Sequence, residues 1–303
     1  MRISTGAMSR PLLCLSLLFA AASCSDSSTA PYNGPSLTNA IVLVSDRTGQ
    51  EEIYSMNADG SDIHQLTTTG GLKSYPAVSP DGRFIVFTSG LIEADERTAL
   101  IRINADGTGL THLTDSTRLD YQATWSPDGS QIAFSTTRDG NNEIYVMSSS
   151  GFKQTNMSRN DQADYDAAWS PSSSTLLFVS SRDGLGGING EIYSGNARGD
   201  SIRPLISGFD PAWSPSGSQF LFKRDGQIYV SDYPNTSTVR QLTSFLSSFY
   251  TPSWSADGSS LVFASATNGY MAVWAVSAVD GTGLHQLTDE TMRDCYYVTT
   301  TRH

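Results

Sequence analysis

The stretch that decides the fold is residues 125–147, WSPDGSQIAFSTTRDGNNEIYVM. Close copies begin at Trp169 (WSPSSSTLLFVSSRDG) and at Trp213 (WSPSGSQFLFKRDGQIYVS). Aligned on the proline of the Ser-Pro pair, successive units fall at Pro80, Pro127, Pro171, Pro215 and Ala256. The steps between them are 47, 44, 44 and 41 residues. Repeats of about 40–45 residues with strand-forming content are typical of the blades of a β-propeller.

Each unit divides into four short strands. The first ends at an Asp-Gly or Ser-Gly pair, which is a hairpin signal because such turns need a positive φ. The second alternates, as in QIAFS (131–135), and this places Ile132 and Phe134 on one face. The third contains the Ile-Tyr pair, and the fourth leads to a recurring Leu-Thr pair. Helical periodicity is absent after residue 40, so we predict an all-β protein.

The first and last copies are incomplete in complementary ways. The N-terminal copy starts with a second strand, IVLVS, at Ile41, and the C-terminal segment RDCYYVTTTRH matches the start of a first strand. We therefore predict that residues 296–300 supply the inner strand of the blade whose other three strands lie at 41–67. Such closure leaves no exposed sheet edge between the termini. The predicted fold of residues 41–303 is a six-bladed β-propeller with four-stranded antiparallel blades.

The repeated segments carry a family resemblance. YPAVSPDGRFIVFTS, ATWSPDGSQIAFSTTRDGNNEIYVM and TPSWSADGSSLVFAS resemble the TolB-type, WD-like propeller repeat, and the resemblance covers nearly all of residues 41–303. TolB itself has an α/β domain before its propeller and is soluble in the periplasm. Here only 16 residues separate Cys24 from the first strand. The resemblance therefore implies the propeller, and it does not imply TolB's role in translocation.

The N-terminal residues read as an export signal. Arg2 and Arg10 precede the apolar stretch PLLCLSLLFAAASC, which is shorter than the roughly 20 apolar residues of a membrane-spanning helix. The segment AASC resembles a bacterial lipobox with Cys24 as the lipidated cysteine. The resemblance implies a signal peptide at 1–23 and a lipidated cysteine with a flexible tether at 24–40; cleavage that leaves Cys24 unmodified is the alternative. Ser25 differs from the aspartate that retains lipoproteins in the inner membrane, which favours the outer membrane.

Charge and histidine placement disfavour several classes of function. The 303-residue chain has a net charge of −11 and no basic cluster, so phosphate neutralisation cannot supply affinity for nucleic acid. His64, His112 and His285 fall on the predicted outer strands of different blades and therefore cannot converge on one metal ion. No nucleophile motif of the Gly-x-Ser-x-Gly type occurs. We predict no metal, no cofactor and no catalytic residue.

The copies differ most just before each inner strand, where the chain reaches one mouth of the central channel. There the segments LDYQ, ADYD, GFD, SFY and RDCYY hold aromatic rings and carboxylates. The predicted binding residues are Asp120, Tyr121, Asp164, Tyr165, Asp166, Asp210, Tyr250, Asp294 and Tyr296. Such a ring would focus a negative potential and offer cation–π contacts. The alternative is that the aromatic rings wedge between blades while the aspartates cap turns.

These features favour a lipid-anchored, non-catalytic propeller that binds a protein or peptide partner, preferentially a basic one, in the bacterial cell envelope. The predicted location is the outer membrane, facing the periplasm, with membrane contact through the lipid alone and a monomeric state. The alternative is a propeller enzyme or a carbohydrate-binding protein. Oligogalacturonate lyase propellers need histidine ligands near the axis, and peptidase-associated propellers need a hydrolase domain; the sequence shows neither pattern.

Overall fold

The computed structural model describes residues 34–90, 97–183, 190–244, 249–266, 271–288 and 295–301. In these ranges the chain forms 24 β-strands in six antiparallel sheets of four strands each. The predicted signal peptide at 1–23, Cys24, the tether up to residue 33, Asp294 and His303 all lie outside the described residues. In the part of the chain that the structure describes, no helix has the length and apolar character that a membrane crossing needs.

Five blades are continuous in sequence. Blade 1 contains β4 (Leu72–Val78), β5 (Phe84–Gly90), β6 (Thr98–Asn104) and β7 (Thr111–His112). Blade 2 contains β8 (Asp120–Trp125), β9 (Gln131–Thr136), β10 (Glu143–Ser148) and β11 (Thr155–Asn156). Blade 3 contains β12 (Asp164–Trp169), β13 (Leu176–Ser180), β14 (Glu191–Gly195) and β15 (Arg203–Ser207). Blade 4 contains β16 (Phe209–Trp213), β17 (Gln219–Arg224), β18 (Gln227–Asp232) and β19 (Val239–Gln241). Blade 5 contains β20 (Phe249–Trp254), β21 (Ser260–Ser265), β22 (Ala272–Ser277) and β23 (His285–Gln286).

The sixth, closing blade joins the two ends of the propeller. Its strand order is β24 (Cys295–Thr300), β1 (Ala40–Ser45), β2 (Glu52–Asn57) and β3 (His64–Gln65). β24 pairs antiparallel with β1, from Ser45 opposite Cys295 to Ile41 opposite Thr300. The predicted six-bladed propeller and its closure by the C-terminal strand are therefore confirmed.

The apolar core lies between blades. Second strands such as β1 and β13 are buried on both faces, because each blade is covered by a neighbour on either side. Buried side chains form six clusters, and each cluster combines residues of two adjacent blades. The repeated tryptophans tie these pairs together: the indole Nε1 of Trp213 donates to Ala168 O at 3.2 Å, and that of Trp254 donates to Ala212 O at 3.1 Å. Each bond crosses from one blade to the preceding one.

The two faces of the propeller are built from different parts of the repeat. The turns between first and second strands, and those between third and fourth strands, lie on one side, which we call the lower face. The inner strands begin on the opposite side, the upper face, where the connections from blade to blade also lie. Because the blades are antiparallel meanders, every copy of a given turn falls on the same face.

Candidate binding site at the upper channel mouth

Every inner strand carries a β-bulge at the same place. The register of each inner strand against its neighbour shifts at one point. A residue with positive φ lies at each shift: Tyr75 (51°), Gln122 (53°), Asp166 (57°), Asp210 (47°), Thr251 (40°) and Tyr297 (46°). Bulges re-aim side chains, and these six residues, which we call the bulge ring, line the central channel.

The channel is narrow and has the symmetry of the fold. Three consecutive residues from each of the six inner strands line it, beginning with the bulge residue, and they enclose about 190 Å³. Pockets for drug-sized ligands are commonly about 300–1,000 Å³. The channel is therefore large enough for one side chain or a few water molecules.

One half of the bulge ring is polar and ionisable. Gln122 Nε2 donates a short hydrogen bond to Asp166 Oδ1. The Asp210 carboxylate lies on the other side of Asp166, and Lys223 Nζ lies 2.8 Å from Asp210 Oδ2. Gln122, Asp166, Asp210 and Lys223 thus form one continuous polar row across three blades.

The row places two carboxyl groups side by side. The channel shields Asp166 from water, and the neighbouring Asp210 carboxylate adds to this effect, so the pKa of Asp166 is raised well above that of an ordinary aspartate. Lys223 opposes the shift but does not cancel it. Asp166 therefore keeps a proton to higher pH than an exposed carboxyl group would. The channel is less negative than a count of its aspartates suggests.

The other half of the bulge ring is aromatic. The rings of Tyr75 and Tyr297 lie with centroids 4.3 Å apart and an interplanar angle of 50°. Burial, followed by the nearness of Tyr297 and Asp166, raises the pKa of Tyr75, so its hydroxyl remains a donor. Thr251 completes the ring, and its Oγ1 accepts a hydrogen bond from Val298 N at 2.8 Å.

A second set of aromatic residues stands just above the bulge ring. Each of these residues precedes a bulge residue in its strand, and we call Tyr121, Tyr165, Tyr250 and Tyr296 the aromatic rim. Tyr250 is 43% exposed, and its ring makes an edge contact with Tyr296 at 6.4 Å between centroids. Burial, followed by the charge of Asp166, raises the pKa of Tyr121 and of Tyr165. The rim thus places four tyrosine rings around the mouth, and the hydroxyl groups of Tyr121 and Tyr165 hold their protons more tightly than an exposed tyrosine does.

Two of the predicted aspartates lie inside the blades. Asp120 is 1% exposed with Arg138 Nη2 at 3.2 Å, and Asp164 is 0% exposed with Arg182 Nη2 at 3.0 Å. Each arginine also packs over the tyrosine of the next strand, with its guanidinium carbon 4.6 Å from the Tyr145 centroid and 5.0 Å from the Tyr193 centroid, respectively. These carboxylates neutralise arginines within their own blades and do not line the channel.

The structure therefore brings together some of the predicted residues and separates others. Asp166 and Asp210 lie in the bulge ring, and the four tyrosines form the aromatic rim around it. Asp294 lies outside the described residues. Sequence reasoning missed Tyr75, Gln122, Thr251, Tyr297 and Lys223. In four of the blades a residue of the ring could have been found by counting back three positions from the repeated tryptophan.

The histidines lie away from this site. His64, His112 and His285 lie on β3, β7 and β23, the outer strands of three blades. Among the described residues, no group of three or more histidine, cysteine, aspartate or glutamate side chains is arranged to hold a metal ion. Cys295 is buried, and burial raises the pKa of its thiol.

Comparison with known proteins agrees with this architecture. The TolB beta propeller domain family matches residues 91–222. A TolB homolog of Chlorobium chlorochromatii (strain CaD3) is 46% identical over 48 residues, which are 16% of this chain and 11% of that protein. The chain thus matches about a tenth of the length of that relative.

Two solved structures extend the similarity to most of the propeller. TolB from Acinetobacter baumannii has a TM-score of 0.73 at 21% identity, covering 89% of this chain and 68% of that one. An oligogalacturonate lyase in complex with manganese has a TM-score of 0.54 at 14% identity, covering 79% of this chain and 86% of that one. At such identities the likeness concerns the fold alone.

Proposed function

We propose that this propeller, whose residues 91–222 match the TolB beta propeller domain family, is a non-catalytic binding protein of the bacterial cell envelope. It holds a segment of a partner protein at the upper mouth of its channel. In this proposal Cys24 carries the lipid that anchors a monomer to the outer membrane on its periplasmic side. The observation that supports the binding role is the convergence of the aromatic rim and the polar row on one narrow channel.

The size of the channel favours a side chain of a partner over a free small molecule. A space of about 190 Å³ is below the range of common ligand pockets, and above it the ring of Tyr250 is 43% exposed. An extended peptide lying across the rim can insert one side chain into the channel. The rest of the peptide then contacts Tyr121, Tyr165, Tyr250 and Tyr296.

The rim has the composition of a protein-binding surface. Tyrosine is enriched at interfaces because its ring buries a large apolar area while its hydroxyl forms a hydrogen bond. The raised pKa of Tyr121 and of Tyr165 keeps these hydroxyl groups available as donors to a peptide backbone.

The charge of the polar row favours a basic side chain. Asp210 already has Lys223 at 2.8 Å, whereas the neighbours of Asp166 are an amide and another carboxyl group. A lysine or arginine of the partner can replace the proton on Asp166 and lie against the faces of Tyr75 and Tyr297. Binding then releases a proton, so the affinity should fall as the pH is lowered.

The experiment that tests the proposal compares the two faces of the molecule. The purified propeller captures partners from envelope extract by cross-linking, in parallel with the variant Asp166→Asn/Asp210→Asn. The matched control is Asp128→Asn/Asp257→Asn, which makes the same two substitutions on the lower face. The captured protein is then purified and titrated against all three forms by calorimetry.

We expect at least a tenfold loss of affinity for the upper-face variant and no change for the lower-face variant. Thermal melts establish that each form is folded. Equal affinity of all three forms, or no captured partner at all, would contradict the proposal. In that case the sequence-based alternative, a propeller enzyme or carbohydrate-binding protein, becomes the leading hypothesis, and titration with manganese and with oligogalacturonate tests it.

A further inference from the structure

The residues just before β1 belong to the propeller. Leu37 is half-buried and packs against the apolar cluster between the closing blade and blade 1. Its backbone N–H donates to Gly82 O at 2.8 Å. Gly82 lies in the turn between β4 and β5, so this contact is on the lower face.

The other blades show what this contact replaces. In blades 2, 4 and 5 the glycine of this turn faces the proline of the turn in the preceding blade: a Cβ on Gly129 would lie 3.9 Å from Pro80, one on Gly217 would lie 3.4 Å from Pro171, and one on Gly258 would lie 3.4 Å from Pro215. Blade 3 has Ser173 at this place. The closing blade has no such turn, because its first and second strands are the two ends of the propeller. A Cβ on Gly82 would instead lie 2.2 Å from Leu37 O. Leu37 therefore takes the place of the missing sixth turn.

Leu37 also lies where blade 1 is short of apolar volume. Blades 2 to 5 end their inner strands with a tryptophan, whereas blade 1 ends its inner strand with Val78. Val78 and Leu37 pack against the same cluster. Leu37 therefore fills space that valine, being smaller than tryptophan, leaves empty in this cluster.

We propose that residues 36–39 form a latch that makes the lower face the point where the N-terminal segment leaves the propeller. The anchored protein therefore holds its lower face toward the lipid surface and presents the upper channel mouth away from it. This inference rests on the lipid anchor of the proposed function, and it adds the orientation of the molecule on the membrane.

The length of the tether limits which face of the propeller can turn toward the membrane. Leu37 follows Cys24 by 13 residues, which span at most about 45 Å when fully extended. From the latch, the path to the upper face crosses about 14 Å of strands to the rim of a blade and then about 20 Å along a six-residue strand. Turning the upper face toward the membrane would thus require a tether stretched to about three quarters of its full extension. The typical span of a flexible chain of this length is only about 20 Å.

The lower face faces the lipid surface without binding to it. The turns on that face carry the exposed carboxylates of Asp81, Asp128 and Asp257, which an anionic lipid surface would repel. The attachment point of the tether sets the orientation, so the test uses zwitterionic vesicles.

The first experiment measures the orientation directly. Lipidated protein in phosphatidylcholine vesicles carries one fluorophore at Ser130→Cys on the lower face or at Ser116→Cys on the upper face, both exposed positions. Energy transfer to a dye in the bilayer should be several-fold stronger from position 130. Equal transfer, or stronger transfer from position 116, would overturn the orientation.

The anchor itself is measured separately by flotation with the same vesicles. The parent should float and the Cys24→Ser variant should not. If the parent fails to float, the anchor is wrong and the orientation falls with it. If the parent floats and the transfer is equal, only the latch inference fails and the proposed function stands.

The second experiment tests the latch through two matched glycines. Gly82 and Gly226 have nearly the same φ, 68° and 70°, but only Gly82 lies against another segment; no atom lies within 4 Å of a Cβ on Gly226. Gly82→Ala should raise amide hydrogen exchange at residues 37–41 at least tenfold, while Gly226→Ala leaves it unchanged. The same exchange in both variants would show that Leu37 is not held by the turn.

Discussion

The lower and upper faces of this propeller come from the same six repeats, yet they have diverged to different extents. On the lower face one hydrogen-bonding pattern recurs: Ser126 Oγ donates to Asp128 at 2.6 Å, and Ser255 Oγ donates to Asp257 at 2.6 Å. On the upper face the first residue of the inner strand is Asp120 in blade 2 and Cys295 in the closing blade. The repeated chemistry builds turns, and the variable chemistry surrounds the channel mouth.

The difference extends to charges buried just below the upper face. Blade 2 pairs Asp120 with Arg138, whereas at the equivalent position blade 1 has Lys73, whose Nζ lies 3.0 Å from Glu52 Oε2 in the closing blade. Both ion pairs neutralise a buried charge. The inner strand supplies the anion in blade 2 and the cation in blade 1, and the Lys73–Glu52 pair links two blades. The same backbone position therefore carries opposite charges in blades 1 and 2.

The largest expected effect comes from a residue that the repeats share. Trp213 is 2% exposed, and its indole joins blade 4 to blade 3. We expect Trp213→Ala to lower the free energy of unfolding by about 4 kcal/mol through the cavity that it leaves. Urea denaturation measures the loss, with Val279→Ala at a 68% exposed position as the control. A loss below about 1 kcal/mol would show that the blades do not depend on the repeated indole.

Next in size is the buried ion pair that is particular to blade 1. Lys73→Met leaves the carboxylate of Glu52, which is 3% exposed, without its cation. The expected loss of stability is about 3 kcal/mol. The double variant Lys73→Met/Glu52→Gln removes both charges and should regain a large part of that loss in the same urea experiment. If the double variant is no more stable than the single one, packing rather than charge explains the effect.

The bulge ring should show its own dependence on pH. Because the folded chain raises the pKa of Asp166 above its ordinary value of 3.8, the folded state binds this proton more tightly than the unfolded state does. The resulting stability is fully present below about pH 4 and is lost as the pH rises through the folded pKa. As the pH rises above about 4, the urea midpoint of Asp166→Asn should therefore fall less than the urea midpoint of the parent. Parallel curves for the two proteins would contradict the raised pKa.

The smallest effect is expected at a repeated turn on the lower face. Hydrogen bonds from Ser255 and then Ser259 lower the pKa of Asp257 to about 2. The stability that this provides is present above about pH 4 and is lost as the pH falls toward 2. Since Asp257 is exposed, solvent screening keeps the cost of Asp257→Asn below about 1 kcal/mol at neutral pH. The curves of variant and parent should converge near pH 2; a constant offset would mean that the carboxylate charge is not involved.

The sequence predicted the fold well because the fold depends on local and repeated signals. Ser-Pro turns, alternating apolar residues and the Ile-Tyr strand occur within about 40 residues of each other. The incomplete copies at the two ends also predicted the pairing of β24 with β1. No sequence pattern predicted the contact of Leu37 with Gly82, since this contact depends on a turn that the closing blade does not have.

The site was predicted less completely because a bulge changes which residue faces the channel. In a regular strand Asp164 and Asp166 would point to the same side. The bulge at Asp166 turns this residue to the axis, while Asp164 lies against Arg182 inside the blade. Long-range partners such as Lys223, 13 residues after Asp210, cannot be read from the pattern of a single strand.

The pairing of β1 with β24 also determines when the molecule can be finished during its synthesis. Ser45 meets Cys295, a residue that is made 250 positions later, whereas each of blades 1 to 5 contains all four of its strands within one unit. Blades 1 to 5 can therefore form in the order in which they are made. The inner edge of β1 stays unpaired until β24 is present. The ring is completed only after β24 has been made, and until then β1, the first strand of the propeller to be made, has no inner neighbour.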